Sequence, residues 1–196
     1  MKNQVKTQQD QDNTIGVWSM AFSMYELTVP VLQQGLGNLA GCLAKASAHC
    51  KDNNIQESAL LNFRFYPDMY PYVQQVQTAA DTAIMAASRL AGEEPALLPQ
   101  EETDFAGLIA RVEDARAKLK AIQPEQLAGS ESKSISFTAM NTYRISFKNG
   151  ADYLQKFILP NFYFHCTTAY DMLRHNGLPL GKRDFIGDFG ADMAPL

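Results

Sequence analysis

Three histidines are the residues of this chain best suited to acid–base or metal chemistry, and His165 is the most informative of them. It lies in an aromatic-rich run, LPNFYFHCTTAY at 159–170, whose spacing places it on the inward face of a predicted helix. Two interpretations stay open: a core histidine bonded to a backbone or tyrosine partner, or a metal ligand or general base. A helix-borne metal site usually has a second ligand three or four residues away. Here those positions hold Thr168 and Ala169, and Asn161 precedes by four.

The other two histidines and one carboxylate are weaker candidates. His49 and His175 fall at predicted helix C-termini, where a cation complements the helix dipole. His175 is ten residues beyond His165, about 15 Å along a helix, so the two cannot share a metal. Asp81 borders the apolar stripe of another helix and is either a solvated or capping carboxylate or a partner of His165. A rearranged metal site would combine His165 with Asp81 or His49.

Aromatic residues surround these candidates. They are either core packing or the walls of a pocket whose phenol hydroxyls converge on His165. The pocket interpretation gives a candidate binding set without a metal ligand or cofactor: His165, Tyr70, Asp81, Asn161 and Tyr170. The sequence contains no Gly-rich phosphate loop and no nucleophile elbow. It therefore assigns no catalytic residue and leaves open whether the protein is an enzyme.

The composition excludes several classes of protein. A chain of 196 residues fits one domain, and a net charge of −4 with scattered Lys and Arg gives no footprint for nucleic acid. The sequence has no run of 18 apolar residues, so no membrane span is expected. Residues 1–11 lack the apolar stretch of a signal peptide, which predicts a cytoplasmic protein. Its three cysteines are then reduced core thiols.

Four segments with apolar residues alternately three and four apart predict the helices that position the candidate site. The apolar stripes span 29–50, 69–90, 105–122 and 154–172. Pro30 predicts a start or bend in the first helix, and Pro160 a kink or break in the last. Asp68 and Thr103 are the expected N-caps of the second and third helices. The charged positions of the third helix, from Arg111 to Lys120, predict a solvated outer face.

Glycines weaken the first predicted helix. Gly35, Gly37 and Gly41 each lower its stability by about 1 kcal/mol relative to Ala. The sequence thus predicts close approach of a neighbouring backbone to this helix.

A β-hairpin is predicted before the last helix, because 134–138 and 143–147 alternate polar and apolar residues. The sequence therefore predicts an all-α four-helix bundle with a small hairpin insertion. Its domains are expected to be a flexible arm at 1–22, one bundle domain at 23–187 and a tail at 188–196. The segment from Leu180 to Leu196, which includes Gly181-Lys182-Arg183, is expected to be irregular.

Several motifs resemble one uncharacterised family of the DinB/YfiT-like four-helix-bundle superfamily. They are MYELTVP at 24–30, NFRFYPDM at 62–69, LPNFYFHCTTAY at 159–170, LRHNG at 173–177 and GKRDF at 181–185. The resemblance covers about residues 23–187. It implies a bundle that is often a homodimer and, in many members, a metal held by one histidine of the second helix and an H-x-x-x-H pair of the last. His165 matches one of that pair, but Ala169 and Asn161 stand where its partner would fall.

The expected function is thus a small-molecule-binding or partner-binding bundle that has lost the three-histidine metal site, acting as a homodimer. The alternative is a metal-dependent transferase or hydrolase with a divalent transition metal in a rearranged site around His165. A third hypothesis is an interaction module whose hairpin adds strands across a dimer. No nucleic acid or membrane partner is expected.

Overall fold

The computed structural model describes residues 22–139 and 142–191, and four long helices dominate it. The order of elements is α1 (Met24–Asp52), α2 (Glu57–Leu61), α3 (Tyr72–Ala91), α4 (Phe105–Ala121), α5 (Pro124–Leu127), β1 (Ile135–Ala139), β2 (Tyr143–Phe147), α6 (Gly150–Tyr153), α7 (Leu159–His175) and α8 (Lys182–Ile186). Helix α1 packs mainly on α4, and α3 packs on α7 and α4. The predicted four-helix bundle with a hairpin before its last long helix is confirmed.

The bundle core is built from the predicted apolar stripes. Its largest fully buried side chains come from all four long helices and the segments next to them: Tyr72, Tyr153, Phe105, Phe162, Leu32, Leu36, Leu43, Leu90, Leu108, Leu119, Leu127 and Leu154. No helix of the described ranges is long and apolar enough to cross a membrane. The expected flexible arm lies almost wholly outside the described residues, as does the end of the expected tail, 192–196.

Helix α1 begins at Met24, before Pro30. The expectation that the helix starts at Pro30 is therefore wrong. Ser23 caps the helix reciprocally with Glu26: the Ser23 side chain accepts from the Glu26 amide, and the Glu26 side chain accepts from the Ser23 amide. This capping box fixes the first turn at Met24, and the helix runs on through Pro30.

Two other predicted caps are also displaced. Helix α3 begins after its N-cap Pro71, not at Asp68. A residue that precedes proline disfavours the helical conformation, so Tyr70 stays outside the helix. In α4, Asp104 rather than Thr103 is the cap, and its side chain accepts a hydrogen bond from the Gly107 amide at 2.7 Å.

The last long helix accommodates Pro160 with a change of pitch. One turn of π-helix at Leu154–Ile158 joins α6 to α7, and Pro160 lies in the first turn of α7. Proline has no N–H and its ring clashes with the carbonyl four residues before it. The wider π-helical turn just before Pro160 accommodates the proline, so the helical path continues from α6 into α7 where a kink or break is expected.

Helices α1 and α7 approach each other closely at Gly35. A Cβ there would lie 2.5 Å from a ring carbon of Phe162, whereas a Cβ at Gly41 would meet nothing within 4 Å. The expected close approach therefore exists at Gly35, but a side chain fills it rather than a neighbouring backbone.

The hairpin packs on its own chain. Its strands pair antiparallel, with Phe137 opposite Ile145. The rings of Phe137 and Phe147 pack against Tyr153 and Phe157, with centroids 5.3–6.1 Å apart. One face of the hairpin thus has a hydrophobic support, which an isolated hairpin lacks.

The segment expected to be an irregular tail begins with a short helix. Residues Lys182–Ile186 form α8, and the Asp184 carboxylate accepts a hydrogen bond from the Gly181 amide at 2.7 Å. This local cap explains why a helix forms after Gly181 despite the glycines around it. Helix α8 packs on α1.

Candidate functional site

His165 lies inside the bundle, at the interface of α7 and α3. Its side chain is buried, and its Nδ1 atom is 2.7 Å from the Gln75 Oε1 atom. The other end of the Gln75 amide, Nε2, donates to the Tyr70 carbonyl at 3.2 Å. Because that bond fixes the amide nitrogen on the Tyr70 side, the oxygen of Gln75 must face the imidazole. His165 therefore carries its proton on Nδ1 and presents a lone pair on Nε2.

The protein environment keeps this imidazole uncharged. Burial lowers the pKa of His165 below its ordinary value of 6.5. At neutral pH the ring is thus a neutral hydrogen-bond acceptor or base. Such a ring accepts a proton from a ligand hydroxyl or N–H group, or binds a metal through Nε2.

Exposed aromatic rings surround the imidazole. The Tyr70 ring is stacked parallel to His165 with centroids 6.2 Å apart, and Phe164 meets it edge-on at 5.3 Å. Both Tyr70 and Phe164 are exposed. The three rings form a shallow aromatic surface, which we call the His165 surface, where a buried imidazole meets accessible apolar walls.

Asp81 does not join this surface, because it is held by a buried ion-pair network. Its carboxylate accepts from Arg111 Nη2 at 2.7 Å and from Gln100 Nε2 at 3.1 Å. Arg111 also donates to Glu102 at 2.8 Å. Burial alone would raise the pKa of Glu102, but hydrogen bonds from Gln77 and Arg111 hold it below its ordinary value. The carboxylates are therefore committed to one guanidinium.

Arg111 corrects the prediction of a solvated outer face on α4. The residue is only 2% exposed, although Arg116 and Lys118 on the same helix are accessible and pair with Glu113 and Asp114. The sequence misses this because the partners of Arg111 come from α3 and from the 92–104 connection, which no helical periodicity brings together.

Asn161 and the remaining histidines occupy other places. The Asn161 amide donates to the Thr82 hydroxyl at 3.3 Å, one turn of α7 away from His165. His49 lies at the C-terminal end of α1, 3.3 Å from the Asn53 amide. His175 lies in the last turn of α7, where it stacks on Phe63 at 5.4 Å. The three histidines thus belong to three separate environments.

Tyr170 faces a different side of α7 from His165. It lines a cavity of about 200 Å³ between α1, α7 and α8, together with Tyr163, Cys166 and Phe185. Sequence reasoning places Tyr170 in one pocket with His165, but the separation of five positions turns Tyr170 about 140° around the helix from His165. The signal for this cavity is the spacing of Tyr163, Cys166 and Tyr170, which is a second helical stripe.

Comparisons with known proteins identify the family. Residues 24–186 match the family described as Domain of unknown function (DUF1993). The chain belongs to this family. Its fold is similar to the crystal structure of a DinB family member protein from Shewanella denitrificans, with 31% sequence identity, a TM-score of 0.78, and coverage of 87% of this chain and 95% of that one. None of the curated proteins matches the chain.

The three-histidine metal site that the DinB-like resemblance implies does not fit the residues present. On α3 the side chain that reaches His165 is the amide of Gln75, and Ala169 follows one turn later on α7. Within the described ranges, no three His, Cys, Asp or Glu side chains are grouped so that they could hold a metal ion. A neutral amide and one imidazole are a poor donor set for a transition metal.

Proposed function

We propose that this member of the DUF1993 family is a small-molecule-binding bundle that recognises its ligand through the His165 surface, without the three-histidine metal site. The observation that supports this most is the relay from the Tyr70 carbonyl through Gln75 to His165. The relay holds one tautomer of a neutral imidazole and makes Nε2 a fixed acceptor.

The chemistry of the surface indicates the class of ligand. A lone pair on Nε2 accepts from an O–H or N–H group, and the flat rings of Tyr70 and Phe164 favour an apolar, planar body. A neutral aromatic with one hydrogen-bond donor meets both requirements. A carboxylate does not, since His165 has no positive charge to offer it at neutral pH.

Titration with indole, followed by the imidazole signals of His165 in NMR spectra, tests this proposal. We expect a saturable shift of those signals in the full-length protein and its loss in Gln75→Leu, which removes the oxygen that orients the ring. The matched control is Gln74→Leu, the same substitution at the neighbouring position of α3. A protein whose His165 signals do not respond to indole would contradict the proposal.

The alternative remains a metal-dependent transferase or hydrolase with a rearranged site around His165. Its supporting observation is that metal-ligating histidines commonly have the other ring nitrogen held by a hydrogen bond, as Gln75 holds Nδ1 here. Metal analysis of protein purified without added metal separates the two functions. About one tightly bound Zn, Ni or Fe per chain that is lost in His165→Ala would favour the alternative.

We also propose that the protein is a cytoplasmic homodimer. Its three cysteines are free and buried, in keeping with a reducing compartment. The exposed aromatic side chains of Phe65 and Tyr66 are the kind of surface that a second copy covers. Light scattering tests the oligomeric state, with about twice the chain mass of 21.8 kDa expected.

A further inference from the structure

A second ligand site is indicated on the opposite side of α7, in the cavity of about 200 Å³ between α1, α7 and α8. Its floor is apolar and comes from Gly35 and Leu39 of α1 and Cys166 of α7. Helix α8 covers one side of it with Phe185 and Ile186. None of these residues belongs to the His165 surface.

Polar anchors hold α8 over the cavity, in addition to the edge-on packing of Phe185 against Tyr170. The Asn38 amide donates to the Phe185 and Ile186 carbonyls at 2.9 and 2.8 Å, and Lys45 pairs with Asp184. The Gln34 amide donates to the Ile186 carbonyl at 3.2 Å. These bonds fix the backbone of α8 to α1 and leave an apolar space beneath the helix.

The side chains that line the cavity include no Asp, Glu, Lys or Arg. Burial raises the pKa of Cys42 to about 11, and burial also raises the pKa of Cys166. Both thiols line the cavity and stay protonated. The pKa of Tyr163 is likewise raised, first by burial and then by Cys166. An anion would therefore enter without a compensating charge, which is unfavourable.

One buried polar group near these thiols lacks a partner. The Tyr72 hydroxyl is fully buried and makes no hydrogen bond within the described part of the chain. Burial, and after it the charge interactions with Cys42 and Cys166, raises the pKa of Tyr72, although Tyr72 itself does not line the cavity. Two other tyrosines, Tyr163 and Tyr170, do line the cavity, and their phenol groups suit a ligand that brings its own hydroxyl.

We propose that this cavity binds a small neutral aromatic alcohol, about the size of one substituted benzene ring. The volume supports that size, because an apolar cavity of about 150 Å³ accommodates benzene. The site is independent of the His165 surface, so its failure would leave the proposed function untouched.

Methyl NMR of the full-length protein tests the proposal with two matched probes, benzyl alcohol and benzoate. We expect benzyl alcohol to shift the methyl signals of Leu39 and Ile186 saturably, and benzoate to leave them unchanged at the same concentration. The methyls of Leu119, buried in α4 and outside the cavity lining, serve as the internal reference. No saturable shift with benzyl alcohol, or equal shifts with benzoate, would overturn the proposal.

A second test uses a substitution whose larger side chain fills the cavity. Cys166→Leu should lower the affinity for benzyl alcohol at least tenfold, whereas Cys50→Leu, the same change at a buried cysteine outside the cavity lining, should alter it less than twofold. His165→Gln should leave it unchanged. A saturable shift of the Leu39 and Ile186 methyl signals that survives Cys166→Leu, or that disappears in His165→Gln, would place the responsible benzyl alcohol outside the cavity and refute the site. The wild-type titration decides the question even if Cys166→Leu does not fold.

Discussion

At the scale of single residues, the properties of His165 follow from one amide. Gln75 is itself oriented by the Tyr70 carbonyl, so a backbone atom ultimately selects which imidazole nitrogen carries the proton. Burial then keeps the ring neutral. These two effects produce an acceptor that needs no charged neighbour.

The first prediction concerns the pH dependence of stability. Because the pKa of His165 is lowered on folding, the unfolded chain takes up the proton first as the pH falls below 6.5. The free energy of unfolding therefore decreases on acidification, by at most about 1.4 kcal/mol per pH unit for one proton. The stabilisation is fully present above the unfolded pKa of 6.5. It is lost progressively as the pH falls from 6.5 to the lower pKa of His165 in the folded protein.

Urea unfolding of wild type and His165→Gln between pH 7.5 and 5 measures this contribution. The variant should lose less stability over the acidic part of that range. His175→Gln, at an exposed ring of the same helix, is the control for a histidine substitution. Parallel curves for wild type and His165→Gln would show that His165 does not titrate as described.

A second prediction at this scale concerns Arg111. Its removal leaves the buried Asp81 carboxylate and the partly buried Glu102 carboxylate without their cation, so Arg111→Met should destabilise the protein by about 3–5 kcal/mol. Arg116→Met on the same helix removes an accessible pair with Glu113 and should change stability by less than about 1 kcal/mol. Equal effects in urea unfolding would contradict a structural role for the buried network.

The sequence predicts part of this site. The 3–4 spacing of α7 suffices to place His165 inside the bundle, because helix geometry alone decides which face a residue occupies. The partner Gln75 and the Arg111 network escape prediction, since their contacts join elements distant in the chain. The position of a polar side chain on a helix does not indicate which neighbouring helix supplies its hydrogen-bond partner.

At the scale of elements, the contact between α1 and α7 carries a prediction. Gly35→Ala would force its new methyl group into the Phe162 ring and should destabilise the protein by about 1–3 kcal/mol. Gly41→Ala in the same helix meets open space and should stabilise it by up to about 1 kcal/mol through helix propensity. Thermal unfolding compares the two, and destabilisation of both variants alike would mean that Phe162 does not set the spacing.

The helices themselves are well predicted and their ends are not. Apolar periodicity reports the buried face of α1, α3, α4 and α7, because each must cover the same core. The ends depend on local competition instead. The capping box of Ser23 and Glu26 starts α1 six residues before Pro30, although a proline favours the first turn of a helix. A π-helical turn lets the last helix continue past Pro160.

At the scale of the whole molecule, the hairpin is predicted to stabilise its own chain rather than to join two chains. Its Phe137 and Phe147 rings are already packed on Tyr153 and Phe157. Replacing 136–146 by a short Gly-Ser linker should therefore leave the mass in solution unchanged by light scattering. Conversion of a dimer to a monomer by this replacement would instead identify the hairpin as the interface.

The whole bundle places two chemically different surfaces on either side of α7. One offers a neutral imidazole with accessible aromatic walls, and the other an apolar cavity covered on one side by α8. This division explains why Tyr170 and His165, five residues apart, are not parts of one pocket.

The tautomer and charge of His165 test this account most directly. A long-range ¹H–¹⁵N NMR spectrum of the protein, purified without added metal and recorded at pH 7, reports the protonation of each ring nitrogen. We predict a neutral ring with its proton on Nδ1 and an unprotonated, metal-free Nε2. A proton on Nε2, a doubly protonated ring or a metal-bound nitrogen would contradict the account.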